Sequence, residues 1–201
     1  MSPRPRTASD AEIVAALSRV ISRVGLARAT LAAVAAEVGL TAGALVQRFG
    51  SKRGLLLALS RGAVAGVGEQ VAAARRENAS PLAALLDYAG SAARFAHTPE
   101  EFANHLAFFQ LDLTDAEFHA AALEFFRVEH GALRALLEDA AAAGELRPGL
   151  DAARLARAVQ EAINGARVVW AVMRDGTMEE RTRGAVEVLL GRAGGGRAEG
   201  S

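Results

Sequence analysis

Three potential helix caps divide the segment TLAAVAAEVGLTAGALVQRFGSKR, which occupies residues 30 to 53. Thr30, Thr41 and Ser51 each carry a side-chain oxygen that can accept the free amide protons of a first helical turn. Gly39 stands where the first of these helices must end, because a glycine lets the chain turn sharply out of a helix. The segment therefore predicts a helix-turn-helix followed at once by a third helix. The second helix of such a unit can lie in a DNA major groove.

The composition favours helix along the whole chain. Ala and Leu are abundant, and no alternation of apolar and polar residues is long enough to predict a strand. We therefore expect an all-α protein. The chain has no Cys, its four His residues do not form a metal-binding motif, and it carries no nucleophile or dinucleotide motif. We accordingly expect no metal, no cofactor and no enzymatic activity.

Two further absences in the sequence bear on location. No apolar run approaches the length needed to span a bilayer, and residues 1 to 10 lack the apolar segment of a signal peptide. We therefore expect a cytoplasmic protein.

Charge is unevenly distributed along a chain whose net charge is zero. Residues 1 to 61 contain nine basic and three acidic side chains, whereas residues 62 to 201 contain fourteen basic and twenty acidic ones. A basic head on an acidic body is typical of a chain that binds a polyanion through its head. Arginines clustered on a solvated face would give the same count. The charge pattern therefore supports binding of a polyanion only in combination with the predicted helix-turn-helix.

Capping signals elsewhere predict about nine helices. Ser9 and Glu12 can form a capping box for a first helix that ends at Gly25. The other helices are predicted from Ser51 to about Arg76, from 80 to 96, from Thr98, from Asp112 or Thr114 to Ala143, from Asp151 to about Arg174, and from Thr177 to near Leu190. We expect an N-terminal arm and helix-turn-helix domain over 1–52, a helical ligand-binding and dimerisation domain over 53–192, and a disordered tail over 193–201.

Residues 13 to 58 resemble the TetR family of bacterial transcriptional regulators. The resemblance is carried by Ile13, Ala16, Leu17, Gly25, Thr30, Val34, Ala35, Val38, Gly39, Leu40, Thr41, Gly43, Leu45, Phe49, Ser51, Lys52 and Leu55. It implies a homodimer that binds a near-palindromic operator and represses transcription until a small ligand enters the C-terminal domain. Two alternatives stay open: a ligand-insensitive regulator or activator on the same scaffold and, more remotely, a helical enzyme or carrier.

The resemblance also implies a set of DNA contacts. Thr30 and Lys52 would meet phosphates, and the start of the second helix would face the groove with Thr41, Ala42, Gly43 and Ala44. The residue types add Gln47 and Arg48 as candidate base readers, since Gln suits adenine and Arg suits guanine; contact with solvent or phosphate is the alternative. Arg4 and Arg6 predict either a minor-groove arm or a disordered tail.

The sequence departs from the family pattern at two places. Val46 stands where the family usually has a Tyr that contacts the DNA backbone, so that hydrogen bond is either lost or replaced by one from another residue such as Arg48. Arg53 and Gly54 stand where the family often has an acid near the start of the fourth helix. Both departures predict an altered operator preference.

Aromatic residues concentrate in the second half of the chain and predict a site for a largely apolar ligand, with ordinary core packing as the alternative. The candidate ligand-binding residues are Tyr88, Phe95, Phe102, His105, Phe109, Phe126, Asn164 and Trp170. The last two helices, within residues 151–190, carry more apolar side chains than two terminal helices of a monomer would bury. They therefore predict a homodimer interface.

Overall fold

The computed structural model describes residues 8–91 and 95–191, and over these ranges the chain forms nine α-helices and no strand. The helices are α1 Asp10–Val24, α2 Leu31–Glu37, α3 Ala42–Phe49, α4 Lys52–Glu77, α5 Pro81–Ser91, α6 Pro99–Thr114, α7 Ala116–Ala142, α8 Ala152–Met173 and α9 Met178–Leu189. The predicted all-α fold class is confirmed. The residues proposed as an arm, Arg4 and Arg6, and the tail over 193–201 lie outside the described ranges.

The predicted caps account for most of the helix starts. Ser9 and Glu12 form a complete capping box, as do Thr177 and Glu180. The Thr98 hydroxyl accepts from the Glu101 amide, and the Asp151 carboxylate accepts from two amides of the first turn of α8. Because these caps satisfy amides that have no intrahelical partner, they fix where each helix begins.

The predicted start of α7 at Asp112 or Thr114 is wrong. Both residues still belong to α6, and α7 begins only after Asp115. Asp115 has an extended backbone, and its Oδ1 accepts hydrogen bonds from the amides of Glu117 at 3.0 Å and Phe118 at 3.5 Å. Asp115 is therefore the cap, and the Thr114 hydroxyl instead donates to a carbonyl oxygen within α6.

The chain divides into two compact units. The first comprises Met1–Gly66 and Thr98–Phe126, so it contains the three N-terminal helices together with α6 and the start of α7. Its core is formed by buried side chains that include Leu17, Ile21, Val34 and Leu55, with Phe49 and Leu31 packed partly buried against them. The three N-terminal helices and the start of α4 therefore share one hydrophobic core.

The second unit comprises Val67–His97 and Arg127–Ser201. Within it α9 packs against both α5 and α8. Its buried apolar side chains include Leu82, Leu85, Leu133, Leu136, Leu137, Val159, Ile163, Trp170 and Val186. Among the described residues no single helix is long and apolar enough to cross a membrane, and α2 with α3 passes that test only as a pair bent by 107°.

Candidate nucleic-acid interface and a buried polar network

Helices α2 and α3 form the predicted helix-turn-helix. The Thr30 hydroxyl accepts from the Ala33 amide at 3.1 Å, and the Thr41 hydroxyl accepts from the Ala44 amide at 3.2 Å. Gly39 has a φ of +69°, a conformation that side chains rarely adopt. The bend of 107° between the two helices lies within the range of about 90–120° that helix-turn-helix units adopt.

One side of α3 is fixed by the core and the other is left open. Leu45 is 0 % exposed, whereas Val46 is 46 % exposed and Gln47 also faces solvent. Thr41 and Gly43, at the start of the helix, are exposed, and Ala42 and Ala44 are half-buried. The buried leucine therefore positions a helix whose exposed face carries Gln47 as a polar group suited to reading a base edge.

Arg48 and Lys52, the two predicted cationic contacts, bind backbone or acidic groups inside the protein. Arg48 Nη1 donates to the Ala8 carbonyl oxygen at 2.5 Å, and its Nη2 pairs with Asp10. Lys52 Nζ donates to the Leu26 carbonyl oxygen at 2.7 Å. An ammonium has three N–H donors, so this bond leaves Lys52 able to meet a phosphate as well. Arg48 is tied to the start of α1, which makes Gln47 the better placed base reader.

Gly54 is explained by a close approach between α3 and α4. A Cβ atom added at Gly54 would lie 2.0 Å from the Phe49 carbonyl oxygen, so any side chain there would force the two helices apart. The Gly54 amide donates to the Ser51 hydroxyl at 3.1 Å, which confirms Ser51 as the cap of α4. This departure from the family pattern is therefore a local packing requirement.

Arg53 fastens the first turn of α4 to the start of α7, inside the first unit. Its guanidinium lies 2.8 Å from both carboxylate oxygens of Asp115 and 2.8 Å from Glu117. It also lies over the Phe118 ring, 5.2 Å from the centroid, and Phe118 meets Phe108 edge to face. We call Arg53, Asp115, Glu117 and Phe118 the α4–α7 clamp. Sequence reasoning gave no sign of it, because Arg53 is 62 or more positions from the other three residues.

The clamp changes the meaning of the charge pattern. The excess of positive charge in residues 1 to 61 is real, but residues 98–126 of the same compact unit contribute six acidic side chains and no Lys or Arg. The first unit as a whole has nine basic and nine acidic side chains. Positive charge is therefore a property of the N-terminal helices and not of the unit that contains them.

Four of the predicted ligand-binding residues lie in the first unit. Phe102 is buried and Phe109 is exposed, and Phe126 meets Phe125 edge to face at 5.5 Å. His105 Nε2 lies 2.7 Å from the Ser22 hydroxyl, which joins α6 to α1. His105 therefore hydrogen-bonds to α1, and this bond helps to hold α6 against α1.

The other four, Tyr88, Phe95, Asn164 and Trp170, lie in the second unit, where three of them contact the buried Glu129 or the half-buried Arg167. Tyr88 donates to Glu129 Oε1 at 2.9 Å, and the Gln160 side-chain amide donates to Glu129 Oε2 at 2.7 Å. Farther along α8, Arg167 Nη1 donates to the Asn164 side-chain oxygen at 3.3 Å, and its guanidinium lies over the Phe95 ring at 5.4 Å. We call this set the buried polar network. Trp170 lies apart from it and donates to the Gly176 carbonyl oxygen.

Burial shapes the chemistry of this network. It raises the pKa of Tyr88, and the neighbouring Glu129 raises it further, so Tyr88 keeps its proton and donates a hydrogen bond to the carboxylate. Burial lowers the pKa of Arg167, and Glu129 and Tyr88 oppose that shift. A buried carboxylate is costly unless it is hydrogen-bonded, and both carboxylate oxygens of Glu129 accept hydrogen bonds.

Glu129 and Arg167 were missed by sequence reasoning, although a signal was present. Glu129 follows Phe126 by three positions and precedes Leu133 by four, so it lies on the apolar stripe of its helix. Arg167 likewise lies four positions after Ile163 and three before Trp170. A charged residue on a stripe that is otherwise apolar predicts a buried charge, which is often a functional group.

The last two helices keep an apolar surface in the single chain. Three apolar residues of these helices, Val159, Ile163 and Val186, are buried within the second unit. The large apolar residues that stay exposed are Val168, Val169, Val172, Met173, Val188 and Leu189, and Val172 is 77 % exposed. A groove between α8 and α9 is lined by Ala162, Ala166, Val169, Gly184, Ala185 and Val188 among others. An apolar surface of this extent is typical of a protein–protein contact.

Within residues 8–91 and 95–191 the regular elements are all helices, and α2 and α3 form a helix-turn-helix with one exposed face, an arrangement that DNA-binding proteins use to enter the major groove. The model of the family described as bacterial regulatory proteins, tetR family, matches residues 13–59. No curated protein sequence matches the chain.

Solved structures of similar fold cover nearly the whole chain. A TetR transcription regulator from Haloarcula marismortui is 22% identical, with a TM-score of 0.71 over 90% of this chain and 96% of that chain. The TetR family regulator PfmR from Thermus thermophilus is 24% identical, with a TM-score of 0.61 over 90% and 98%. FadR from Bacillus subtilis, solved in complex with stearoyl-CoA, is 17% identical, with a TM-score of 0.65 over 92% and 100%. The helix-turn-helix segment therefore matches the tetR family model, and the chain has the fold of these solved TetR-family regulators.

Proposed function

We propose that this protein is a homodimeric transcriptional repressor that binds a near-palindromic operator through α3 and leaves it when a small apolar molecule binds the C-terminal body. The observation that carries the proposal is the exposed face of α3, capped by Thr41 and positioned by buried Leu45, with Gln47 directed to solvent. Helix N-termini favour phosphate, and a glutamine amide can bind adenine through two hydrogen bonds.

Besides Gln47, which would read a base, Thr30 and Lys52 would each contact the DNA backbone. The hydroxyl of Thr30 accepts an amide proton at the start of α2 and still has its own proton to donate to a phosphate. Lys52 supplies a point charge at the start of α4. Backbone contacts of this kind position the protein, whereas Gln47 would supply the sequence preference.

The experiment is a selection of bound fragments from genomic DNA, followed by titration of the selected fragment against a scrambled one. Replacing Gln47 by Ala should weaken binding to the selected fragment by about 5- to 150-fold and leave the scrambled fragment unaffected. Gln70→Ala is the matched control, since Gln70 is an exposed glutamine on α4 outside this face. A failure to enrich any fragment would overturn the proposal.

The dimer is proposed to form through the exposed apolar surface of α8 and α9. Light scattering at micromolar concentration should give twice the chain mass of 20.9 kDa. Val172→Asp should give a folded monomer, because a charge at the most exposed valine opposes burial in a partner. Ala153→Asp, the same change at an exposed site near the start of α8, should leave the dimer intact. A monomeric wild type would contradict this assignment.

Ligand response is tested by adding apolar compounds to the complex with the selected fragment. Release of the fragment supports the repressor. A protein that binds specifically but is released by no compound is the ligand-insensitive regulator or activator instead.

A further inference from the structure

Arg48 is the only charged residue of helix α3, and its charge is compensated within the protein. Its Nη1 donates to the Ala8 carbonyl oxygen at 2.5 Å, and its Nη2 pairs with Oδ1 of Asp10 in the first turn of α1. Water reaches both side chains, since 32 % of Arg48 and 67 % of Asp10 are exposed. The start of α1 therefore holds the one charge of α3 at the protein surface.

Arg48 lies at the edge of the face of α3 that would meet DNA. Around the helix it is about 100° from the exposed Gln47 and about 60° from the buried Leu45. The exposed Val46 offers no hydrogen-bond donor from its side chain. Whether α3 contributes a positive charge to DNA binding therefore depends on whether Arg48 is available.

The ion pair between Arg48 and Asp10 is of a kind that a phosphate can replace. Asp10 meets the guanidinium through one oxygen, and a guanidinium has five N–H donors. Carboxylate and phosphate bind this fork of donors in the same geometry, so the two anions compete for it. Because so exposed an ion pair contributes little to stability, the charge of Asp10 can decide the outcome of this competition.

We propose that Asp10 is a determinant of DNA affinity, because it occupies Arg48 and keeps the one positive charge of α3 from the phosphate backbone. This inference rests on the proposed function, since DNA is the partner of α3 in both. Phosphate contacts carry no sequence information, so Asp10 weakens binding to every sequence and leaves the sequence preference to Gln47.

The test measures binding of the full-length protein to the selected fragment and to a random-sequence duplex of the same length, by fluorescence anisotropy. Asp10→Asn keeps the shape of the side chain and removes its charge, so Arg48 can bind a phosphate. We expect this variant to bind both duplexes more tightly, by up to about fivefold, which is the weight of an exposed ion pair. The slope of log K against log salt should steepen by about 0.9, so the gain should be about threefold larger at about 50 mM salt than at about 200 mM.

Arg48→Gln shows whether the effect of Asp10 acts through Arg48. In the wild-type background it should change neither the affinity nor the slope, because Asp10 already occupies the guanidinium. In the Asp10→Asn background it should abolish the gain. Glu69→Gln makes the same change of charge at an exposed position outside the first unit and should bind as the wild type does. If Arg48→Gln fails to fold, the affinity and slope of Asp10→Asn decide the question.

Two results would overturn the inference. One is an Asp10→Asn variant with the affinity and slope of the wild type, and the other is an Arg48→Gln change that weakens binding equally in both backgrounds.

The random-sequence duplex separates this inference from the proposed function. An Arg48-dependent gain on that duplex, without any fragment selected from genomic DNA, would support the role of Asp10 and refute the operator. A selected fragment that Asp10→Asn binds as the wild type does would support the operator and refute the role of Asp10. Binding of neither duplex at about 50 mM salt would refute both.

Discussion

The α4–α7 clamp allows a quantitative test of how the helix-turn-helix is held. Arg53 and Asp115 are replaced by their uncharged isosteres, Gln and Asn, singly and together. Asn is chosen because Asp115 also caps α7, and Asn caps a helix about as well as Asp. The double-mutant cycle therefore removes the ion pair without removing the cap.

The structure sets the expected size of the effect. Both partners are partly exposed, which limits the coupling to about 0.2–1 kcal/mol, and the two 2.8 Å contacts place it in the upper half of that range. Arg53→Gln also loses the contact with Glu117 and the cation–π contact with Phe118, which is worth about 0.5–1 kcal/mol at an exposed site. The single variant should therefore lower the free energy of unfolding by about 1–2 kcal/mol in total.

Urea denaturation of the four proteins measures both quantities. The coupling should shrink in about 1 M salt, where the screening length falls to about 3 Å. A coupling within about 0.3 kcal/mol of zero at low salt would refute the clamp, since additive changes of this size mark independent sites. Because Arg53 binds carboxylates, Arg53→Gln should also leave the salt dependence of DNA binding unchanged. A phosphate contact would instead lower the slope of log K against log salt by about 0.9.

Two further predictions concern single positions. Gly39→Ala should destabilise the protein by about 1–2 kcal/mol because its φ is +69°, whereas Gly43→Ala, at a helical position with room for a methyl group, should stabilise it by up to about 1 kcal/mol; chemical denaturation compares the two. Burial raises the pKa of Asp112 from 3.8 to about 6, and His119 only partly opposes this. The folded state thus binds the proton more tightly than the unfolded state, so this group makes stability fall as pH rises from about 4 to 6. Asp112→Asn should flatten that part of the profile, and an unchanged profile would contradict the assignment.

Most of the helix-turn-helix was predictable because its signals are local. Each cap is a single side chain that bonds an amide two or three positions later, so Thr30, Thr41 and Ser51 mark their helices from sequence alone. Asp115 shows the limit of this reasoning. Three closely spaced candidates, Asp112, Thr114 and Asp115, could each cap a helix, and packing of Phe118 in the core decides among them.

Contacts between distant positions were not predictable. Arg48 was predicted to read a base, but it binds the Ala8 carbonyl oxygen, 40 positions away. Arg53 was noted only as a departure from the family pattern, and its partner Asp115 lies 62 positions away. The predicted ligand site was limited in the same way, because it was based on the composition of the second half of the chain. Composition does not reveal that Phe102 and Phe95 lie in different compact units. Only helical periodicity carried information about the polar network, through the charged positions of Glu129 and Arg167.

The cap at Thr41 determines which substitutions at this position are compatible with folding and which are compatible with DNA binding. Its hydroxyl satisfies the Ala44 amide, and Ser, Asn or Asp would do so equally well. Folding alone therefore permits an acid at this position. A carboxylate there would repel the phosphates that the proposed function brings against the same helix end. Selection for folding and selection for DNA binding thus diverge at one residue. Thr41→Asp should give a protein that folds stably but does not bind DNA, and in the proposed homodimer its subunits would still assemble with active ones.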